Sequence, residues 1–210
     1  MSFELLVKKL LLRKDRFISN IEIEGYCKIL DIKYDKAINY LLKYKYLKRI
    51  MRGFFYAPTI EERKLKTFRI THLEAISHAM EHKNIKKWYF GFDTAIKLNK
   101  LTHEYFAIDY VVSDKIFRSK PIIIFGHKVK FIKLKRELFG FGTTKEKYLV
   151  YSNIEKTILD MIYTDKYAGK SNAKIKDDVI DLVEYASKNK LAKYSKYYSK
   201  SVRKFLEDLN

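Results

Sequence analysis

Residues 33–52, KYDKAINYLLKYKYLKRIMR, followed by Gly53 and by FFYAP at 54–58, decide how the first part of this chain folds. The stretch 33–52 holds seven basic residues and one acid, a net +6. Beneath the charge lies an apolar stripe. Ala37, Ile38, Leu41 and Leu42 fall on one face of a helix, which predicts a helix over Tyr34–Tyr44. Leu47–Met51 and Phe54–Ala57 read as two short strands joined at Arg52-Gly53, where glycine accepts the backbone of a tight turn. Pro58 has no N–H for a ladder and ends the second strand.

The residues upstream complete a module. Phe3–Arg13 is amphipathic, with Phe3, Leu6, Val7, Leu10 and Leu11 on one face. Ser19 or Asn20 caps a second helix, Ile21–Leu30, and Glu22 three residues after Ser19 permits a capping box. Asp31-Ile32-Lys33 forms the turn. Helix, helix, turn, helix and hairpin within residues 1–58 are the parts of a winged helix-turn-helix. With Ala37, Ile38, Leu41 and Leu42 inside, Lys33, Lys36, Asn39, Tyr40 and Lys43 lie on the outer face, the one that enters the major groove in such a module. Asparagine pairs bidentately with adenine, lysine reaches guanine edges or phosphates, and tyrosine bonds a phosphate or packs on a thymine methyl. Lys48, Arg49 and Arg52 cluster at the base and tip of the hairpin, where a wing meets the minor groove or the backbone. The competing account of both features is a solvated lysine face beside a basic surface turn.

Residues 59–70 are polar and predict a linker or a connecting helix. A mixed α/β domain with C-terminal helices is expected over 71–210, so the whole chain reads as α+β. His72–His82 is helical, Trp88–Gly91 a strand and Phe92–Leu98 a helix. Phe106–Val112, Pro121–Phe125, Lys128–Leu134 and Tyr148–Tyr151 read as strands rich in Val, Ile, Phe and Tyr. Ile154–Tyr163 returns to a helical period. Two further helices follow Ile175, the first supported by Ile180, Leu182, Val183, Tyr185 and Ala186, the second by Val202, Phe205, Leu206 and Leu209.

The chain carries 44 Lys and Arg against 25 Asp and Glu, a net +19. Such a field draws polyanions, nucleic acid first and an acidic protein second. Lysine-rich codon usage or a hot habitat produces a similar composition, and glutamine is absent. Apolar residues make up 47%, enough for real cores. No apolar run approaches the length of a bilayer span, and the N-terminus has no small-residue cleavage site of a secretory signal. The single Cys27 cannot form an intramolecular disulfide, which fits a cytoplasmic protein. Two more basic stretches occur: Lys128–Lys147, with seven basic and two acidic residues, and Ala186–Lys204, with seven basic residues, no acid, and Tyr194, Tyr197 and Tyr198 interleaved. Tyrosine with lysine can stack on single-stranded nucleic acid; a solvated helix face is the competing reading.

Signals for an enzyme are weak. His78 and His82 are spaced i, i+4 but lack a third ligand nearby in sequence. Gly140 and Gly142 in FGFGTTKEK lack the ending of a phosphate-binding loop. Asp109 and Asp114 flank a strand without the arrangement a metal-dependent nuclease needs, and Cys27 reads as packing. No catalytic residue, metal or cofactor is therefore expected.

Three stretches together resemble the AbiEi family, the antitoxin and transcriptional-regulator half of type IV toxin–antitoxin systems. They are LKYKYLKRIMRGFFYAP, WYFGFDTAIKLNKLT and IEKTILDMIY followed by Gly169, in family order over roughly residues 5–185. The resemblance implies an N-terminal domain that binds duplex DNA at repeats in its own promoter and a C-terminal domain that antagonises a nucleotidyltransferase-like toxin. It carries the DNA-binding role to Lys33, Lys36, Asn39, Tyr40, Lys43, Arg49 and Arg52, and marks Thr94, Glu155 and Asp160 as structural positions. Phe54-Phe55-Tyr56 departs from the family, which often has a single apolar residue before its tyrosine. A homodimer is the expected match to a symmetric operator. The alternatives are a protein-binding antitoxin, a stand-alone regulator without a toxin, an RNA-binding protein and a cryptic nuclease.

Overall fold

The computed structural model describes residues 2–209 and divides into two compact units, Met1–Asn84 with Ile124–Gly126, and Ile85–Ile123 with His127–Asn210. The chain is α+β.

The first unit runs α1 (Ser2–Leu11), β1 (Phe17–Ser19), α2 (Asn20–Ile29), α3 (Tyr34–Lys43), β2 (Lys48–Met51), β3 (Phe54–Tyr56), α4 (Ile60–Leu65) and α5 (His72–His82). Its three strands pair antiparallel in the order β1-β3-β2. The amphipathic stripes of α1, α2 and α3 meet over this sheet. Leu6, Leu10, Ile18, Ile23, Ala37, Leu41, Leu47 and Phe55 form the core. α2 starts as its sequence predicts: the Ser19 hydroxyl accepts the Glu22 N–H while the Glu22 carboxylate accepts the Ser19 N–H. The strand β1 was not foreseen, because Ser19 reads as a cap and only two residues precede it in extended form. Those residues pair Phe17 with Tyr56 and Ile18 with Phe55, and Phe54, Phe55 and Tyr56 are buried.

The first unit extends to residue 84 rather than ending at 58, and the stretch 59–70 takes the second form expected for it, a connecting helix, α4. Residues 59–84 belong to the first unit. The anchor is Glu62, 3% exposed, in a capping box with Thr59. Its carboxylate accepts the Tyr56 hydroxyl at 2.7 Å, the Thr59 N–H at 2.7 Å and the Arg69 N–H at 2.8 Å. Burial pushes the Glu62 carboxyl up, and these donors outweigh it and hold it below the usual range. His78 packs against Phe17 and His82 stacks on Phe54, so α5 closes over the same strands.

The second unit runs β4 (Trp88–Phe90), α6 (Phe92–Leu98), β5 (Ile108–Ser113), β6 (Ile122–Ile124), β7 (His127–Lys133), β8 (Thr143–Glu146), β9 (Leu149–Ser152), α7 (Ile154–Tyr167), α8 (Asn172–Val183), α9 (Lys188–Ser195) and α10 (Lys200–Glu207). The sheet order is β6-β7-β5-β4-β9-β8. It is mixed: β4 with β9 and β5 with β7 are parallel, β4 with β5 and β8 with β9 antiparallel. α7 is the axis of this unit, packed by α6, α8, α9 and α10. Three helices follow α7 instead of the two expected. Ile175 and Val179 bury α8, while Ile180, read as a core residue, is 39% exposed. Leu191 buries α9, and Val202, Phe205 and Leu206 bury α10.

Candidate nucleic-acid interface

The candidate interface is built on α3. Ala37, Ile38 and Leu41 are buried, which leaves Lys36, Asn39 and Lys43 exposed along the opposite face, with Lys33 at the N-cap. From Lys36 to Lys43 the axis rises roughly 10 Å, about three base steps of a duplex. Tyr40 leaves this group. Its ring packs against Phe3 at 4.8 Å, Tyr44 at 4.7 Å and Tyr46 at 6.1 Å, so it is half-buried and serves to hold α1 on α3. The stripe at 37, 38 and 41 places residue 40 on the flank of the helix, within reach of these rings, and that flank is apolar.

The hairpin follows directly. Arg49 and Arg52 are exposed and Lys48 is half-buried, with Lys48 opposite Tyr56 in the ladder. The Arg49 guanidinium lies 5.8 Å from the centroid of Phe55. The turn is short, with Gly53 at φ +77°, and it does not hang free. The Asn20 N–H donates to the Gly53 carbonyl at 2.9 Å, and the Lys83 ammonium donates to the Arg52 carbonyl at 3.2 Å. The start of α2, the tip of the hairpin and the end of α5 are thus joined. Lys83 adds a second cation beside Arg52, one that sequence reading missed because it lies 31 residues away. Glu22, two residues after Asn20, is occupied: Arg13 binds it at 2.9 Å. Burial pushes the Glu22 carboxyl up, and Ser19 and Arg13 together bring it below the usual range, so it stays ionised and paired.

In the second unit the residues marked by resemblance are framework. The Thr94 hydroxyl accepts the Tyr110 N–H at 2.7 Å and donates to Asp109 at 3.3 Å. A Cβ on Gly91 would lie 2.7 Å from a Val112 methyl, so the glycine of this motif is required by close approach. Glu155 accepts the Ser187 N–H at 3.1 Å and ties the start of α7 to the start of α9. Asp160 is the centre of a buried network. Its Oδ1 accepts the Tyr198 hydroxyl at 2.6 Å and the Lys156 ammonium at 3.3 Å, and its Oδ2 accepts the Tyr89 hydroxyl at 2.7 Å. Lys156, fully buried, also donates to the Leu138 carbonyl at 2.7 Å and faces the rings of Phe141 and Tyr89. Burial lowers the Lys156 pKa, and Asp160 opposes that shift. Both tyrosines are raised well above their usual value, by burial first and by Asp160 second. Lys156 is not singled out in the sequence; its signals are its place in IEKTILDMIY and its i−4 spacing from Asp160 on a helix.

Clefts lie in this unit among the described residues. One, of about 530 Å³, is lined by Ile132, Leu134, Tyr163, Tyr167 and Phe117. Another, of about 500 Å³, holds Asp93, Asp165, Asp178 and Lys170, with Lys170 paired to Asp165 at 2.9 Å and to Asp178 at 3.2 Å. Among the described residues no helix is long and apolar enough to cross a membrane.

No family model matches this chain, and no curated protein matches it. Among solved structures it is similar to the crystal structure of the RV2827C protein from Mycobacterium tuberculosis, with a TM-score of 0.64 at 11% identity, over 99% of this chain and 75% of that one. At that identity the likeness establishes a shared fold.

Proposed function

We propose that the first unit is a winged helix-turn-helix that reads duplex DNA, and that the protein is a cytoplasmic transcriptional regulator of the AbiEi kind acting on repeats in its own promoter. One observation carries this reading: α3 exposes Lys36, Asn39 and Lys43 on one face while it buries Ala37, Ile38 and Leu41, and Arg52 with Lys83 stands at the tip of the next hairpin. Asn39 is the base reader, the lysines position the helix, and Arg49, Arg52 and Lys83 hold the backbone. The antitoxin role, against a nucleotidyltransferase-like toxin, rests on the resemblance of the three sequence stretches. A homodimer on a symmetric operator follows from the same reading.

The test is a salt titration of binding to the chain's own upstream region. Contacts with six to eight phosphates give a log–log slope of about −5 to −7. Equal affinity for the upstream fragment and for random duplex refutes a sequence-reading role.

A further inference from the structure

Most of the positive charge lies outside the proposed duplex reader. The second unit holds 26 Lys and Arg against 15 Asp and Glu, a net +11 of the total +19. Its densest part is the end of the chain, where Ala186–Lys204 contains seven basic residues and no acid. Because α9 and α10 bury Leu191, Val202, Phe205 and Leu206, their lysines are turned outward: Lys188, Lys190, Lys193, Lys196, Lys200 and Lys204 are all exposed. Lys190 approaches Glu155 at 3.9 Å, and the other five make no ion pair among the described residues.

The helix ends repeat the pattern. Each of α1 to α7 has an acid in its first turn, which balances the positive end of the helix, whereas α8, α9 and α10 have none. α9 opens on Lys188-Asn189-Lys190 and α10 on Lys200, so cations stand where anions are favoured.

Charge alone would suit any polyanion; the rings narrow the choice. Tyr197 is 53% exposed and stacks on Phe141 with centroids 4.4 Å apart and planes at 19°. Tyr194 packs on the same ring at 5.2 Å and meets the Asn153 amide at 3.5 Å. Phe141 leads through Gly142 into β8, the edge strand of the sheet, where Lys145 is exposed and Lys147 follows. A half-open tyrosine thus follows the lysines of α9 along the chain, and the ring that backs it leads into the lysine-bearing edge strand.

We infer that this surface is a second binding site, specific for single-stranded nucleic acid, with a base stacked on Tyr197 and the phosphates held by Lys193, Lys196 and Lys145. In a duplex the base faces are already stacked, so an open tyrosine ring gains nothing from it; an unpaired base has a free face. An acidic protein satisfies the lysines and leaves the ring platform unused. The site belongs to the second unit and α3 to the first, and the inference does not depend on the duplex-reading proposal.

The experiment measures fluorescence anisotropy of labelled oligothymidylate and oligouridylate with the full chain. Tyr197→Leu is expected to weaken binding by about 5- to 150-fold, the range for one base–aromatic stack, while Tyr197→Phe binds as the wild type does. Lys193→Ala with Lys196→Ala is expected to reduce the salt slope by about 1.4. Asn39→Ala and Arg52→Ala leave single-strand binding unchanged, so loss of duplex reading and loss of this site are told apart. Equal affinity of Tyr197→Leu and wild type overturns the proposal, as does equal binding of a duplex of the same length by this surface. Competition by polyglutamate as strong as that by oligothymidylate also overturns it, in favour of an acidic protein. If Tyr197→Leu does not fold, the exposed lysine pair decides: an unchanged salt slope sinks the site.

Discussion

Asp160→Asn probes the buried network of the second unit most sharply, because it removes one charge and almost no volume. In the wild type, Asp160 accepts two tyrosine hydroxyls and one ammonium, and both Asp160 and Lys156 are 0% exposed. An asparagine keeps one acceptor oxygen, so its NH2 must face a donor. Breaking one side of a buried ion pair costs about 3–5 kcal/mol. The variant also acquires a pH dependence whose sign is fixed. Burial already lowers the Lys156 pKa, and Asp160 is the group that opposes the shift. Without that charge the folded-state pKa falls further below the unfolded value of 10.5. The unfolded chain then binds the extra proton, so stability rises with pH between the folded and unfolded pKa values, by at most about 1.4 kcal/mol per pH unit. Trp88, the single tryptophan, lies in β4 beside Tyr89 and reports unfolding of this unit in urea. The expected result is a steeper rise of stability with pH in Asp160→Asn than in the wild type, and its disappearance when Lys156 is also changed to Met. Parallel pH profiles, or a loss below about 1 kcal/mol, would refute the reading of Lys156–Asp160 as a coupled buried pair.

The other perturbations address local anchors. Gly142→Ala forces a side chain onto a residue at φ +65° and sets its Cβ 2.8 Å from Lys156 Cβ, so it should cost about 1–3 kcal/mol in the same Trp88 assay. Glu62→Gln should cost about 2 kcal/mol and open residues 59–70 to limited proteolysis. Because the folded Glu62 pKa is lowered, its stabilisation is present above the unfolded value and lost as pH falls through the folded one. The gap between Glu62→Gln and wild type should therefore close in acid, and protease resistance of the variant equal to that of the wild type at neutral pH contradicts the anchor.

Of the first unit's helices, α1, α2, α3 and α5 were legible because each carries apolar residues at helical spacing and a local stop or start. The Ser19–Glu22 capping box, the buried face of α3 and the two-residue turn at Arg52-Gly53 are all short-range chemistry, and each stands where the residues put it. What could not be read locally was pairing at a distance. β1 is three residues whose only reason to be a strand is β3, some 35 residues on. β8, TTKE, has no alternation to betray it and exists by pairing with β9. The polar run at 59–70 looked like a linker because Glu62 reads as a surface acid; its burial depends on Tyr56 and Arg69. The candidate interface shows the same division. Lys36, Asn39 and Lys43 follow from the helical period, whereas the loss of Tyr40 to a ring cluster and the arrival of Lys83 at the hairpin tip require the tertiary structure.

The account stands or falls on Asn39 and Arg52. Binding of the purified chain to its own upstream duplex and to single-base variants of it, at several salt concentrations, measures both at once. Asn39→Ala should relax discrimination at one base position, by about 1–3 kcal/mol, with the salt slope unchanged. Arg52→Ala should weaken all sequences alike and reduce the salt slope by about one. If both variants bind with wild-type specificity and slope, α3 and its hairpin do not read DNA.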